Sequence, residues 1–227
     1  MGSHGGPVNP ARMSDTELFA AAAREVPEGD YLDPVPHLVA LHERPTREVY
    51  DTAIRLLRDD APHARELGAR VLRELGPRDE AGLRPFGAEA IPLLVERLDQ
   101  EQDPRVLRWV ISALGYNGAR EALDAVLRFT GHPDAWVRFH VAAALPSLAD
   151  PELIEPGALE ALRTLCRDEE ADTRYHALYA MVEEISGADP ERVARSLADL
   201  LDDPDEQIRE LARTHLVAEH RGWSALG

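Results

Sequence analysis

The sequence predicts an all-α fold built from stacked helix pairs, and three observations carry that prediction. First, a turn followed by a helix-patterned stretch recurs five times: "APHARELGARVLRELG" from 61, "DPRVLRWVISALGYNG" from 103, "HPDAWVRFHVAAALPSL" from 132, "EADTRYHALYAMVEEI" from 170 and "DPDEQIRELARTHLVA" from 203. Second, four of these stretches place arginine at one anchor position, Arg65, Arg138, Arg174 and Arg209, with Leu72, Leu145, Met181 and Leu216 seven residues on. In the remaining stretch Leu107 holds the anchor, Arg108 follows it, and Leu114 stands seven residues on. The anchors lie 42, 31, 36 and 35 residues apart, the period of stacked helical pairs. Third, no stretch alternates apolar and polar residues with period two, so no sheet is expected.

The elements follow in chain order. "SDTELFAAAAREV" opens with Ser14 and Glu17 at capping-box spacing and predicts a helix over the N-terminal end of the stack. "PEGDYLDP" reads as a loop, and Val35 to His42 as a short helix completing the cap. The first member of each pair, the A helix, shows apolar residues at helical spacing. These are Val49, Ile54 and Leu57; Ile91, Leu94, Val95 and Leu98; Leu123, Val126 and Leu127; Leu159, Leu162 and Leu165; and Val193, Leu197 and Leu200. The anchored stretches are the B helices. Small residues at mid-helix, Gly68 and Ala69, Ala142 and Ala144, Ala177 and Ala180, let neighbouring helices approach closely. "GPRDEAGLRPFG", 76–87, is the longest interruption and is expected to be a mobile loop. The resulting division is a disordered or extraneous tail at 1–12, with Met13 as the expected native start, an N-terminal helical cap at 13–45, repeats at 46–220 and a C-terminal tail at 221–227.

Of the five stretches, "DPRVLRWVISALG" and "DAWVRFHVAAAL" come closest to the order Asp-Pro, Val-Arg, Ala-rich, Ala-Leu-Gly. That pattern resembles the HEAT-like repeats of the phycobilin-lyase type, over about residues 46–220. The resemblance implies a right-handed α-solenoid of about five helix pairs, A helices outside and B helices lining a concave face. It implies architecture and not activity, because such repeats serve many roles.

Composition narrows the function. The chain has 227 residues and a formal charge of −17; its 25 bases are all arginine. Residues 150–227 hold 19 acids and 8 arginines, and residues 1–149 hold 23 and 17. Acidity of this kind repels phosphate backbones and steers a basic protein partner toward the chain, so nucleic acid is not the expected partner. A single cysteine, Cys166, excludes an internal disulfide framework and suits a cytoplasmic setting. No apolar run approaches the ~20 residues of a membrane span, and no signal peptide is visible.

The candidate site comes from ring placement. On the implied geometry, positions one and five after the anchor face the concave surface: Glu66/Arg70, Arg108/Ser112, Phe139/Ala143, Tyr175/Tyr179 and Glu210/Thr214. The ends are polar and the middle aromatic. Trp109, Tyr116 and Trp136 sit nearby, so three successive B helices carry six of the chain's 12 Phe, Trp and Tyr residues. His140 and His176 share one register position on neighbouring repeats. The candidate partner-binding residues are therefore Arg108, Trp109, Ser112, Tyr116, Trp136, Phe139, His140, Tyr175, His176 and Tyr179, since aromatic and arginine side chains dominate binding hot spots. The competing reading is that these rings fill gaps between helices, with Trp109 and Trp136 the foremost packing residues. Arg213 and His215 read as polar residues of a terminal capping repeat.

No metal-ligand spacing, phosphate loop or nucleophile elbow is present, so no cofactor, metal or catalytic residue is assigned. Cys166 reads as a buried inert thiol. The expected function is a non-enzymatic scaffold or adaptor holding a peptide or protein in its groove. Two enzyme readings stand behind it. Some alkylpurine DNA glycosylases use a HEAT-like solenoid with concave tryptophans, but the charge opposes phosphate tracking. A chromophore lyase-like protein follows only from the family resemblance.

Overall fold

The computed structural model describes residues 9–28, 34–80, 82–150, 152–185 and 187–224, with side chains described through residue 216 apart from 27 and 28. Within them every regular element is helical: α1 (Asp15–Glu28), α2 (Pro36–His42), α3 (Arg47–Leu57), α4 (Pro62–Glu74), α5 (Gly87–Gln100), α6 (Pro104–Tyr116), α7 (Leu123–Leu127), α8 (Ala135–Leu148), α9 (Pro156–Leu165), α10 (Ala171–Tyr179), α11 (Pro190–Asp199) and α12 (Glu206–Ser224). The expected five pairs and two cap helices are all present. The chain divides into two compact units, Met1–Ala113 and Leu114–Gly227.

In the first unit the capping box forms as its spacing demands. The Ser14 N–H donates to Glu17 at 2.8 Å, and the Glu17 N–H donates to the Ser14 hydroxyl at 3.3 Å. Helices α1 and α2 pack together and both pack on α4. The α3–α4 pair is the tightest: a Cβ at Gly68 would lie 2.6 Å from the Ala53 carbonyl oxygen and 2.6 Å from the Leu57 nitrogen. Glycine is required there by the approach of two backbones. Leu18, Leu41, Leu57, Leu94, Leu98, Leu107 and Ile111 are fully buried at the centre of this unit.

The 76–87 segment, expected to be mobile, is tied down where it is described. Asp79 accepts from the Leu83 N–H at 2.8 Å, and Arg84 donates to the Gly76 carbonyl. Phe86 stacks on Tyr50 at 4.8 Å, Arg47 covers both rings, and Arg47 pairs with Glu89 at 2.8 and 2.9 Å. Residue 81 lies outside the described residues.

In the second unit α7 has only five residues, preceded by a 3₁₀ turn at Arg120–Ala122, so the helix expected from "REALDAVLRF" is shorter than its pattern. Helix α10 runs into a π-helical turn at Ala180–Glu184. The small residues do what their size allows: Ala142, Ala144, Ala177 and Ala180 are buried, and a Cβ on Gly115 would come within 2.9 Å of the Ala144 Cβ. Leu114, Leu145 and Met181 are buried at the predicted core position. Cys166 is buried too, with its thiol pushed up to about 12 by loss of solvent, so it stays protonated and unreactive.

The anchor arginines explain the repeat's most regular polar residue. Arg138 donates Nε and Nη2 to Asp168 at 2.6 and 3.0 Å, and Nη1 to the His132 and Pro133 carbonyls of its own turn. Arg174 repeats this with Asp203 and the Asp168 and Glu169 carbonyls. In the first unit Arg65 does the same with Glu101 and the Asp59 and Asp60 carbonyls. Each guanidinium thus joins its own turn to the acid of the next turn, a bidentate, charge-assisted staple.

Candidate functional site

The predicted site residues fall in both units. In the second, α8 and α10 pack side by side and bring six rings together. Trp136 meets Phe139 edge to face at 5.6 Å, and Phe139 presents an edge contact to His176 at 4.7 Å. Tyr175 and Tyr179, one helical turn apart, stack at 6.1 Å. Trp136 and Tyr179 are exposed, at 40% and 38%, and Tyr116 at 37%; Phe139, Tyr175 and His176 are half-buried. Trp136, a candidate binding residue on sequence grounds with packing as its competing reading, is open to solvent.

His140 lies beneath this surface at 3% exposure, its Nδ1 2.8 Å from the Trp136 carbonyl. That bond spans four residues and fixes the helix turn that carries Trp136. His140 and His176 share their register, but the ring against His176 is Phe139. Burial lowers the pKa of His176, with Asp172 opposing, so the imidazole is biased toward its neutral form.

Between α8 and the start of α10 the surface dips into a small cavity of about 140 Å³, lined by Ala135, Trp136, Phe139, Glu170, Asp172 and Thr173. Two carboxylates stand at an aromatic wall, and the buried Thr173 hydroxyl has no hydrogen-bond partner. Glu170, Asp172 and Thr173 were not singled out in the sequence, because an acidic stretch at a turn before a helix reads as solvation and capping. Among the described residues no cluster of three His, Cys, Asp or Glu could hold a metal ion.

The first unit treats the same register differently. Trp109 is buried at 6% exposure with the Arg70 guanidinium 4.3 Å from its ring centre. Arg108 is half-buried, 5.7 Å from that ring and 3.8 Å from Glu66. Ser112 is buried at 7% and accepts from Arg73 Nε at 3.0 Å. Trp109 and Ser112 therefore lie below the surface a partner would touch. Glu66, expected at a polar solvent-facing position, is 3% exposed; burial raises its pKa, while Arg108 and Arg70 pull it down.

Comparison with known proteins fits this architecture. HEAT repeats match residues 91–156. That match spans the segment from α5 to the start of α9. No curated protein sequence matches the repeat chain closely enough to count as a relative. Among solved structures, Escherichia coli YibA is similar over 89% of this chain and 70% of its own, at 17% identity and a TM-score of 0.67. A designed armadillo repeat protein in complex with the peptide (KR)4 is similar over 89% of this chain and 99% of its own, at 18% identity and a TM-score of 0.60. A HEAT-like repeat protein of the archaeon Thermococcus onnurineus covers 88% of this chain and 78% of its own, at 16% identity and a TM-score of 0.52. These likenesses show an all-helical HEAT/armadillo-type repeat fold.

Proposed function

We propose that this HEAT-repeat protein is a non-enzymatic scaffold of the cytoplasm that holds a basic segment of a protein partner on the ring-bearing face of α8 and α10. The observation that carries the reading is the cavity where Trp136 and Phe139 face Glu170 and Asp172 beside the unpartnered Thr173 hydroxyl. An arginine or lysine side chain suits each part of it. Its stem covers aromatic carbon, its charge meets an indole face and two carboxylates, and its N–H donors reach a hydroxyl that lacks a partner. The stacked Tyr175 and Tyr179 extend the same face with rigid, amphipathic contact area. The net charge of −17 draws a basic segment in. The structurally similar designed armadillo repeat protein in complex with the peptide (KR)4 supports a peptide partner for this reading.

The test is a fluorescence-anisotropy titration of a labelled alternating Lys-Arg peptide, with an alternating Glu-Ser peptide as control. The basic peptide should bind, the control should not, and added salt should weaken the complex. Trp136→Ala and the Tyr175→Ala/Tyr179→Ala double variant should each lose more than about 2 kcal/mol of affinity, the hot-spot scale, while melting close to the parent. Binding that is unchanged in both variants, or equal for both peptides, overturns the reading.

A further inference from the structure

A second cavity, of about 370 Å³, opens in the first unit and has the opposite chemistry. Its lining includes Val35, Leu38 and Val39 of the α2 segment, with Arg70 and Arg73 of α4 and Trp109 of α6. Arg70 is the unusual member. Its side chain is only 13% exposed, yet Glu66, the carboxylate it pairs with among the described residues, stands at 3.5 Å, outside good hydrogen-bond geometry. Its Nε is buried without a hydrogen-bond partner, as is that of Arg108, whose carboxylate neighbour among the described residues is also Glu66, at 3.8 Å.

The same molecule shows what a satisfied buried arginine looks like. Arg65, Arg138 and Arg174 each make two short bonds to a carboxylate and two to carbonyls. Arg70 makes none of these, although guanidinium groups removed from water need their donors filled. Arg70 lies over Trp109 at 4.3 Å, which holds its plane in place and leaves the edge of its fork for an acceptor. Val39, 48% exposed on the cavity wall, supplies an apolar shelf beside that fork.

We propose that this cavity is a binding site for an apolar carboxylate, whose anionic head pairs with the Arg70 guanidinium and whose hydrocarbon body lies along Val35, Leu38, Val39 and Trp109. A single negative charge fits better than a phosphate dianion, because Glu43 and Glu74 also line the cavity and oppose a second charge. A carboxylate of this kind comes either as a free small acid or as the C-terminus of a peptide. The site is independent of the ring face of α8 and α10.

The experiment follows the indole N–H resonance of Trp109 in the full chain, identified by its loss in Trp109→Phe. Hexanoate and an N-acetylated tripeptide ending in leucine are each titrated beside their neutral amides, with inorganic phosphate as a further ligand. At least one carboxylate should shift the resonance saturably and bind at least about tenfold tighter than its amide. Which of the two does so names the source. Arg70→Met, which keeps the packing against Trp109, should erase the preference for acid over amide. Should Arg70→Met fail to fold, the acid–amide contrast in the unaltered protein decides. Equal shifts by acid and amide, phosphate matching the better carboxylate, no shift by either carboxylate, or a folded Arg70→Met that keeps the preference overturns the proposal.

Discussion

Arg138 and Arg209 hold the same repeat position with different partners. Arg138 is 10% exposed and bonded to Asp168, itself 6% exposed at the side chain. Arg209 bonds the Asp203 and Pro204 carbonyls and makes no hydrogen bond to a carboxylate among the described residues. Removing one member of a buried pair strands the other, at a cost of about 3–5 kcal/mol. Arg138→Ala is therefore expected to lower the urea-unfolding free energy by about 3 kcal/mol. Arg209→Ala should lower it by about 1 kcal/mol, the scale of bonds to neutral acceptors. Equal losses would show that the carboxylate adds nothing to the staple. The anchor was legible in the sequence because it recurs at a fixed place in four of the five B helices. Its acid was not: Glu101, Asp168 and Asp203 lie 36, 30 and 29 residues ahead of Arg65, Arg138 and Arg174, a distance that varies with loop length.

Helix–helix spacing decides what a register means. The rule that positions one and five after the anchor face outward holds on α8 and α10, where Phe139 and Tyr175 are half-buried and Ala143 and Tyr179 exposed. It fails on α4 and α6, where Glu66 and Ser112 are buried. On α4 the reason is the cap: α1 and α2 pack against it, and the His42 Nε2–H donates to the Arg70 carbonyl at 2.9 Å. The sequence marked the cap as a helix but gave no periodic signal for which face of α4 it would cover. The α3–α4 contact was legible, because glycine in a helix interior costs about 1 kcal/mol and so signals a close neighbour. Gly68→Ala would press a methyl against the α3 backbone at 2.6 Å and should destabilise the protein by about 1–3 kcal/mol despite alanine's better helix propensity. A higher melting temperature in that variant would mean that the two helices separate freely.

For the whole molecule, acid acts through three kinds of group. Burial lowers the pKa of His42 and His176. A histidine depressed in the folded state contributes stability that is intact above its unfolded pKa, about 6.5, and lost as pH falls through the folded value. Burial alone would raise Glu101, Asp168 and Asp203, but the hydrogen bonds from Arg65, Arg138 and Arg174 outweigh it and hold all three low. Their contribution is intact above about pH 4 and lost below it. Glu66 and Glu184, both raised by burial, run the other way: their contribution is full in acid and lost as pH rises through their folded pKa values. The outcome expected in urea midpoints is a shallow decline below about pH 6.5 and a steep one below about pH 4. The double variant His42→Gln/His176→Gln should flatten the first decline only. A midpoint that rises steadily from neutral pH toward the pI of 4.9 would show that relief of acidic self-repulsion dominates instead.

The staple also bears on how such a chain can change over generations. Because each guanidinium grips the next turn directly, the length of polypeptide between the two grips is free to vary, and here it does, from 29 to 36 residues. Insertions and deletions in the intervening loops leave the alignment of successive pairs unaltered. Gly82, Gly118 and Gly131, where an added Cβ would meet nothing within 4 Å, mark loop positions open to solvent. A lineage of these proteins can therefore lengthen, shorten or decorate its loops while the helices beneath keep their register.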